Sequence, residues 1–132
     1  EHIVLISSRV QCQSIETDIK AAVLLGFDTE SKPTFTKGEI STGPHLIQLA
    51  TDKKAYLFQV NAETLEFLKP ILCNPAQIKV GFGLKNDAHL FRKKSIELNG
   101  SIDLAKSFSA FGINNPLGVK NAMALLFQVH FF

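Results

Sequence analysis

The run AVLLGF, residues 22–27, is the feature that most constrains how this chain can fold. It is short and nearly continuously apolar. Such a run is typical of a strand in the middle of a sheet whose two faces are both covered. Further short apolar runs alternate with helical patterns along the chain, which favours an α/β domain.

The patterns before and after this strand predict the element order β-α-β-β-β-α-β-α. The segments PHLIQLAT and KAYLFQV are separated only by the polar link DKK, so they should form an antiparallel hairpin. Asn61 is suited to cap the next helix, which Pro70 should break or kink. Residues 77–83, QIKVGFG, predict a strand that runs directly into the helix LKNDAHLFRKK. A mixed five-stranded sheet flanked by helices fits this order.

Two smaller helix signals complete the pattern. Ser8 and Gln11 have the spacing of a capping box at the start of the first helix. Asp103, in the segment GSIDLAK, is placed to cap a short helix that follows it.

Composition limits the class of protein. The chain has 132 residues, 45% of them hydrophobic and 20% charged, which fits one globular domain covering residues 1–132. A net charge of +2 neither requires nor excludes a nucleic-acid partner. Two cysteines without a metal-type spacing indicate a reducing intracellular compartment, cytoplasmic or nuclear. No apolar run reaches the roughly 20 residues that would span a membrane, and no secretory signal is recognisable.

The first candidate site is the acidic pair Asp28 and Glu30 at the end of the apolar strand. Residues two apart in a strand point to the same face, so both carboxylates can converge on one ion. Carboxylate oxygens suit Mg²⁺ or Mn²⁺ rather than zinc. Asp-x-Glu is nevertheless a common pattern, and a strand that simply ends in solvent explains it equally well.

Asp87 is the second candidate, at the junction between a predicted strand and helix. A carboxylate in the first helical turn gains about 0.5 kcal/mol from the helix dipole, which is a sufficient structural reason for its presence. A functional role would require Asp87 to face the strand end that carries Asp28 and Glu30. The glycines Gly81 and Gly83 lack the third glycine of a dinucleotide-binding loop and instead predict close packing of strand and helix.

Several motifs together, namely GFDTESKPTFTKG, HLIQLAT, AYLFQV and VGFGLKNDAHLF, resemble the DEDD superfamily of 3′→5′ exonucleases, and most closely its Werner-syndrome-type branch. The resemblance extends from Ala21 to Leu126. It implies a ribonuclease H-like fold and a two-metal nuclease site that acts on the 3′ ends of DNA or RNA and releases nucleoside 5′-monophosphates.

The resemblance also implies roles for individual residues. Asp28 would bridge two divalent cations, Mg²⁺ or Mn²⁺, while Glu30 would ligate one of them. Asp87 would complete the ligand shell directly or through water. Thr29 and His89 would contact the substrate, although His89 stands where close relatives often have an aromatic residue. His89 should also lie on the opposite side of the helix from Asp87, because the two are only two residues apart.

One part of the family pattern is missing from these residues. The third motif should supply a fourth aspartate preceded by a tyrosine or a histidine at a set distance, and neither arrangement occurs. The chain ends in the apolar helical pattern NAMALLFQVHFF, so we expect a domain truncated at its C-terminus. Two functions fit the resemblance: a 3′→5′ exonuclease, or a degenerate exonuclease fold that binds nucleic acid or protein without catalysis. A third, an unrelated metal-dependent hydrolase on the same scaffold, explains the acids but not the wider sequence match.

Overall fold

The computed structural model describes residues 3–31, 37–38 and 43–105, and it shows a mixed β-sheet with helices packed against it. The α/β architecture predicted from the sequence is confirmed. The prediction of a C-terminal helix falls on residues 106–132, outside the described part. The elements in chain order are β1 (Ile3–Ile6), α1 (Arg9–Ala21), β2 (Leu24–Glu30), β3 (Leu46–Ala50), β4 (Ala55–Gln59), α2 (Ala62–Cys73), β5 (Ile78–Gly81), α3 (Leu84–Lys93) and β6 (Ser101–Asp103).

The sheet has six strands in the order β1-β4-β3-β2-β5-β6. The apolar strand β2 is one of the two central strands, as its composition predicts. It pairs antiparallel with β3 and parallel with β5, and β3 and β4 form the predicted antiparallel hairpin. The sheet exceeds the predicted five strands because Ser101–Asp103 pairs in parallel with β5.

Strand β2 separates two different environments. Leu25 and Phe27 point to one face, where they pack in a single hydrophobic cluster with residues from all three helices. Phe27 is paired with Leu49 of β3, and Leu49 is paired with Tyr56 of β4, so the three side chains lie on the same face of the sheet. Asp28 and Glu30 alternate with these residues and therefore lie on the opposite face. In the described residues, no helix is long and apolar enough to span a membrane.

Local sequence signals explain where the helices begin. The Ser8 hydroxyl accepts a hydrogen bond from the Gln11 amide, while the Gln11 side chain accepts one from Ser7 rather than from Ser8. Asn61 forms a capping box with Thr64 at the start of α2. These short-range hydrogen bonds satisfy amide groups that have no partner inside the helix.

The expected break at Pro70 is wrong, because α2 is one helix from Ala62 to Cys73. Proline removes the hydrogen bond to the carbonyl four residues earlier, here that of Glu66. Both Pro70 and Glu66 are exposed, so water can bind that carbonyl. The buried Leu68, Ile71 and Leu72 hold the helix against the core on both sides of the proline.

A buried lysine joins the end of α2 to the sheet. The ammonium group of Lys79 in β5 donates to the carbonyl oxygens of Ile71 (2.9 Å), Asn74 (2.8 Å) and Gln77 (2.5 Å). Its side chain is fully buried. Burial lowers the pKa of Lys79 to about 8. The three carbonyl oxygens favour the charged form, so Lys79 remains protonated at neutral pH.

Gly100 lies against the same turn, and its replacement should destabilise the fold. Its φ is +67°, and an added Cβ would lie 2.9 Å from the Pro75 oxygen and 3.0 Å from the Gln77 oxygen. Gly83 has a similar φ of +63° but open space around it. We expect Gly83→Ala to cost about 1–2 kcal/mol from the left-handed backbone alone. Gly100→Ala should cost about 1–3 kcal/mol more, because the methyl group meets fixed backbone oxygens.

Urea unfolding of the two variants and the wild-type domain measures both costs. Equal losses for Gly100→Ala and Gly83→Ala would show that the carbonyl contacts do not matter.

Candidate active site

The carboxyl end of β2 carries the acidic pair. Asp28 is half-buried and Glu30 is exposed, and their cross-strand partners in β3 are Gln48 and Leu46. These residues line a pocket with a cavity volume of about 140 Å³, together with Thr29 and Leu57. Two acids and an amide therefore surround a pocket whose remaining wall includes two leucines.

Thr29 connects the strand end to helix α3. Its side chain lies on the other face of β2 from Asp28 and Glu30, and its hydroxyl donates a hydrogen bond to Oδ1 of Asp87. The backbone amide of Thr29 donates to Oδ1 of Asp28 at 2.9 Å. Thr29 thus contacts both aspartates, one through its side chain and one through its backbone.

Asp87 reaches this position because α3 follows β5, the parallel neighbour of β2. Parallel neighbours have their carboxyl ends at the same edge of the sheet, so the first turns of α3 lie near the end of β2. Asp87 shares the inner face of α3 with the buried Leu84 and Phe91. Asp87 therefore reaches the strand end that carries Asp28 and Glu30, where it contacts Thr29 on the opposite face of β2 from those two acids.

The carboxylates influence one another electrostatically. Burial raises the pKa of Asp87, the hydrogen bond from Thr29 lowers it, and the negative charges of Asp28 and Asp103 raise it further. Together these effects raise the pKa of Asp87 above its ordinary value. Negative charge is therefore concentrated around the end of β2, where a cation would be favoured.

Asp103 is the site residue whose role the sequence showed only in part. Its carboxylate accepts from the backbone amide of Ala105 at 3.0 Å, which confirms the predicted cap. It also accepts from the amides of Gly83 (2.9 Å) and Leu84 (3.0 Å) at the start of α3. Gly83 has no side chain with which to cap α3. Asp103 therefore fixes the beginning of the helix that carries Asp87.

Asp103→Ala should lower the free energy of unfolding by about 2 kcal/mol, because three backbone amides lose a charged acceptor. Chemical denaturation measures the change, and Glu97→Ala, at an exposed acid, is the matched control. A loss no greater than that of the control would contradict the capping role.

The chemistry of the donors fits a hard divalent cation such as Mg²⁺ or Mn²⁺. Asp28 and Glu30 line one pocket, and Asp87 is close enough for its pKa to respond to Asp28. Within residues 3–31, 37–38 and 43–105, no three His, Cys, Asp or Glu side chains form a group that could hold a metal ion. The described acids thus supply suitable ligands without forming a closed cage.

Comparison with known proteins adds the family. The sequence profile of the 3′-5′ exonuclease family matches residues 3–121, which is most of the chain. The chain belongs to this 3′-5′ exonuclease domain family. No curated protein sequence matches it.

Solved structures share the fold of this exonuclease domain. The EXO domain of Aedes aegypti Nibbler matches with a TM-score of 0.70, 22% identity, and coverage of 83% of this chain and 56% of that one. The catalytic core of Trypanosoma brucei RRP6 matches with a TM-score of 0.76 and 14% identity, and the match covers 97% of this chain and 35% of that one. The EXD2 exonuclease domain soaked in Mg and GMP matches with a TM-score of 0.65 and 20% identity, and the match covers 89% of this chain and 62% of that one. The chain spans less than two thirds of each of these structures.

Two further predictions from the sequence concern helix α3 and the glycines before it. His89 is exposed on α3 and is not among the residues lining the pocket, so its substrate role stays a prediction. A Cβ on Gly81 would lie 2.4 Å from the Phe27 oxygen and 2.8 Å from Leu84 of α3. The predicted close packing of strand and helix is confirmed at Gly81 and wrong at Gly83, which has open space around it.

Proposed function

We propose that this domain is a 3′→5′ exonuclease that hydrolyses phosphodiester bonds at the 3′ end of DNA or RNA and releases nucleoside 5′-monophosphates. The observation that carries the proposal is the arrangement at the end of β2. Asp28 and Glu30 line one pocket there, and Asp87 is held next to the same strand end by Thr29.

Asp28, Glu30 and Asp87 would hold two divalent cations, Mg²⁺ or Mn²⁺. When bound, such ions supply an activated water and stabilise the leaving 3′ oxygen. The EXD2 domain, which shares this fold, was soaked in Mg and GMP, in keeping with a site for a divalent cation and a nucleotide.

The chain's own residues would position the substrate. Leu46 and Leu57 offer apolar surface on which a nucleoside can pack, with little readout of sequence. The Thr29 hydroxyl would keep Asp87 near the strand end until the divalent cations bind. His89 would contact the substrate from α3. The motifs GFDTE and LIQLAT support placement in the Werner-syndrome-type branch of the DEDD superfamily.

A second candidate is a non-catalytic module that binds nucleic acid or protein. The hydrogen bond between Thr29 and Asp87 favours it, because an Asp87 engaged in this way points toward Thr29, whose side chain lies on the opposite face of β2 from Asp28 and Glu30. The two candidates differ in whether the domain shortens a nucleic acid or only binds it.

The test follows a 5′-labelled single-stranded oligonucleotide, as DNA and as RNA, incubated with the domain and Mn²⁺. A ladder that shortens from the 3′ end and disappears with EDTA supports the exonuclease. A folded domain that retards the oligonucleotide without shortening it supports the binding module.

A further inference from the structure

Two glutamines are buried in the described residues, and only one of them has a partner for its amide nitrogen. Nε2 of Gln77 donates to the carbonyl oxygens of Ile19 and Ala22, both at 2.8 Å. Nε2 of Gln48 has no hydrogen-bond partner in the described part of the chain, although the residue is only 5% exposed. A buried donor without an acceptor is costly, and native structures contain few of them.

The unpartnered amide lies in the pocket of the proposed active site. Gln48 is the direct cross-strand partner of Asp28 and, on its other side, of Leu57 in β4. All three residues line the pocket. A ligand that enters the pocket can therefore supply the acceptor that Gln48 lacks.

The size of the pocket limits which part of a ligand it takes. Pockets that enclose drug-sized molecules have volumes of roughly 300–1,000 Å³. The cavity here is about 140 Å³, so it suits one part of a nucleotide rather than the whole molecule.

The chemistry of the lining favours a sugar hydroxyl over a phosphate. A phosphate would lose its hydration beside Leu46 and Leu57, and it would meet the negative charges of Asp28 and Glu30. A hydroxyl is neutral, so it can enter the same space and accept a hydrogen bond from Nε2 of Gln48.

We propose that Gln48 is a substrate-binding residue whose Nε2 donates a hydrogen bond to a sugar hydroxyl of the 3′-terminal nucleotide. The inference rests on the proposed exonuclease function and names the group by which the same pocket recognises its substrate. It also explains why an amide is kept where an apolar side chain would be the more stable choice.

The test uses binding of the product, which requires no catalysis. Isothermal titration with Mg²⁺ present compares adenosine 5′-monophosphate with its 2′-deoxy, 3′-deoxy and 2′,3′-dideoxy analogues. We expect the wild-type domain to bind the dideoxy compound about three- to tenfold more weakly, as the loss of one hydrogen bond predicts. The two singly deoxygenated compounds identify the hydroxyl that Gln48 contacts.

Gln48→Leu should remove this preference while leaving the melting temperature unchanged or higher, because it removes an unsatisfied polar group. Gln48→Met is the second variant, in case leucine packs poorly. Gln59→Leu, the same change at an exposed position of β4, is the matched control and should keep the preference.

The outcomes separate the inference from the function. If the wild-type domain shortens oligonucleotides but shows no hydroxyl preference, or if Gln48→Leu and Gln48→Met retain it, the inference is overturned and the exonuclease stands. If the wild-type domain neither shortens oligonucleotides nor binds any of the monophosphates, both fail.

Discussion

Asp28→Ala is expected to reduce exonuclease activity at least about 100-fold, to below detection in a ladder assay. Asp28 lines the pocket together with Glu30, and it accepts a hydrogen bond from the backbone amide of Thr29. Burial raises the pKa of Asp87, and the charge of Asp28 raises it further. Its removal would take a ligand from the proposed cation site. It would also remove negative charge from the end of β2.

The assay uses the 5′-labelled oligonucleotide with Mn²⁺ and compares rates at equal protein concentration. Asp52→Ala is the matched control, since Asp52 is an exposed aspartate in the turn between β3 and β4. It should leave the rate unchanged. Activity of Asp28→Ala close to that of the control would exclude Asp28 from the reaction and remove the main support for the proposed site.

Lys79→Met is expected to lower the free energy of unfolding by about 3 kcal/mol at pH 7. The variant keeps most of the apolar side chain but leaves the carbonyl oxygens of Ile71, Asn74 and Gln77 without their donor. Leaving buried polar groups unpaired costs about 1–3 kcal/mol each, and water can reach some of them. Lys69→Met, the same change on the exposed side of α2, should have little effect.

The pH dependence of stability gives a second test of Lys79. Its pKa is about 8 in the folded protein and 10.5 as its ordinary value. Between these values the unfolded chain binds a proton that the folded protein has released, so the free energy of unfolding rises with pH by at most about 3 kcal/mol. Burial and the hydrogen bond to Asp18 raise the pKa of Tyr56, which acts in the opposite direction above pH 10.

Urea unfolding from pH 7 to pH 10 therefore compares the wild-type domain with Lys79→Met. The difference in the free energy of unfolding between the two should grow from pH 8 upward. A difference that stays constant over this range would show that Lys79 has an ordinary pKa in the folded state.

Features that depend on neighbouring residues could be predicted from the amino-acid sequence. The apolar run of β2, the hairpin of β3 and β4 and the caps at Ser8 and Asn61 were all predictable, because strand periodicity and capping act over a few residues. The same-face placement of Asp28 and Glu30 follows from the two-residue repeat of a strand. The absence of a break at Pro70 was not predictable, because the cost of a proline in a helix depends on whether the freed carbonyl reaches water.

The contacts between distant segments could not be predicted in this way, because they depend on how the chain packs in three dimensions. Asp87 contacts Thr29 across 58 residues of sequence, and Asp103 caps a helix that begins 19 residues earlier. Lys79 and Gln48 look like ordinary strand residues, yet one is buried with three hydrogen bonds and the other is buried with its amide nitrogen unpartnered. These differences arise because burial and polar pairing are set by the packing of β2, β3, β5 and α2 against one another, which no local pattern encodes.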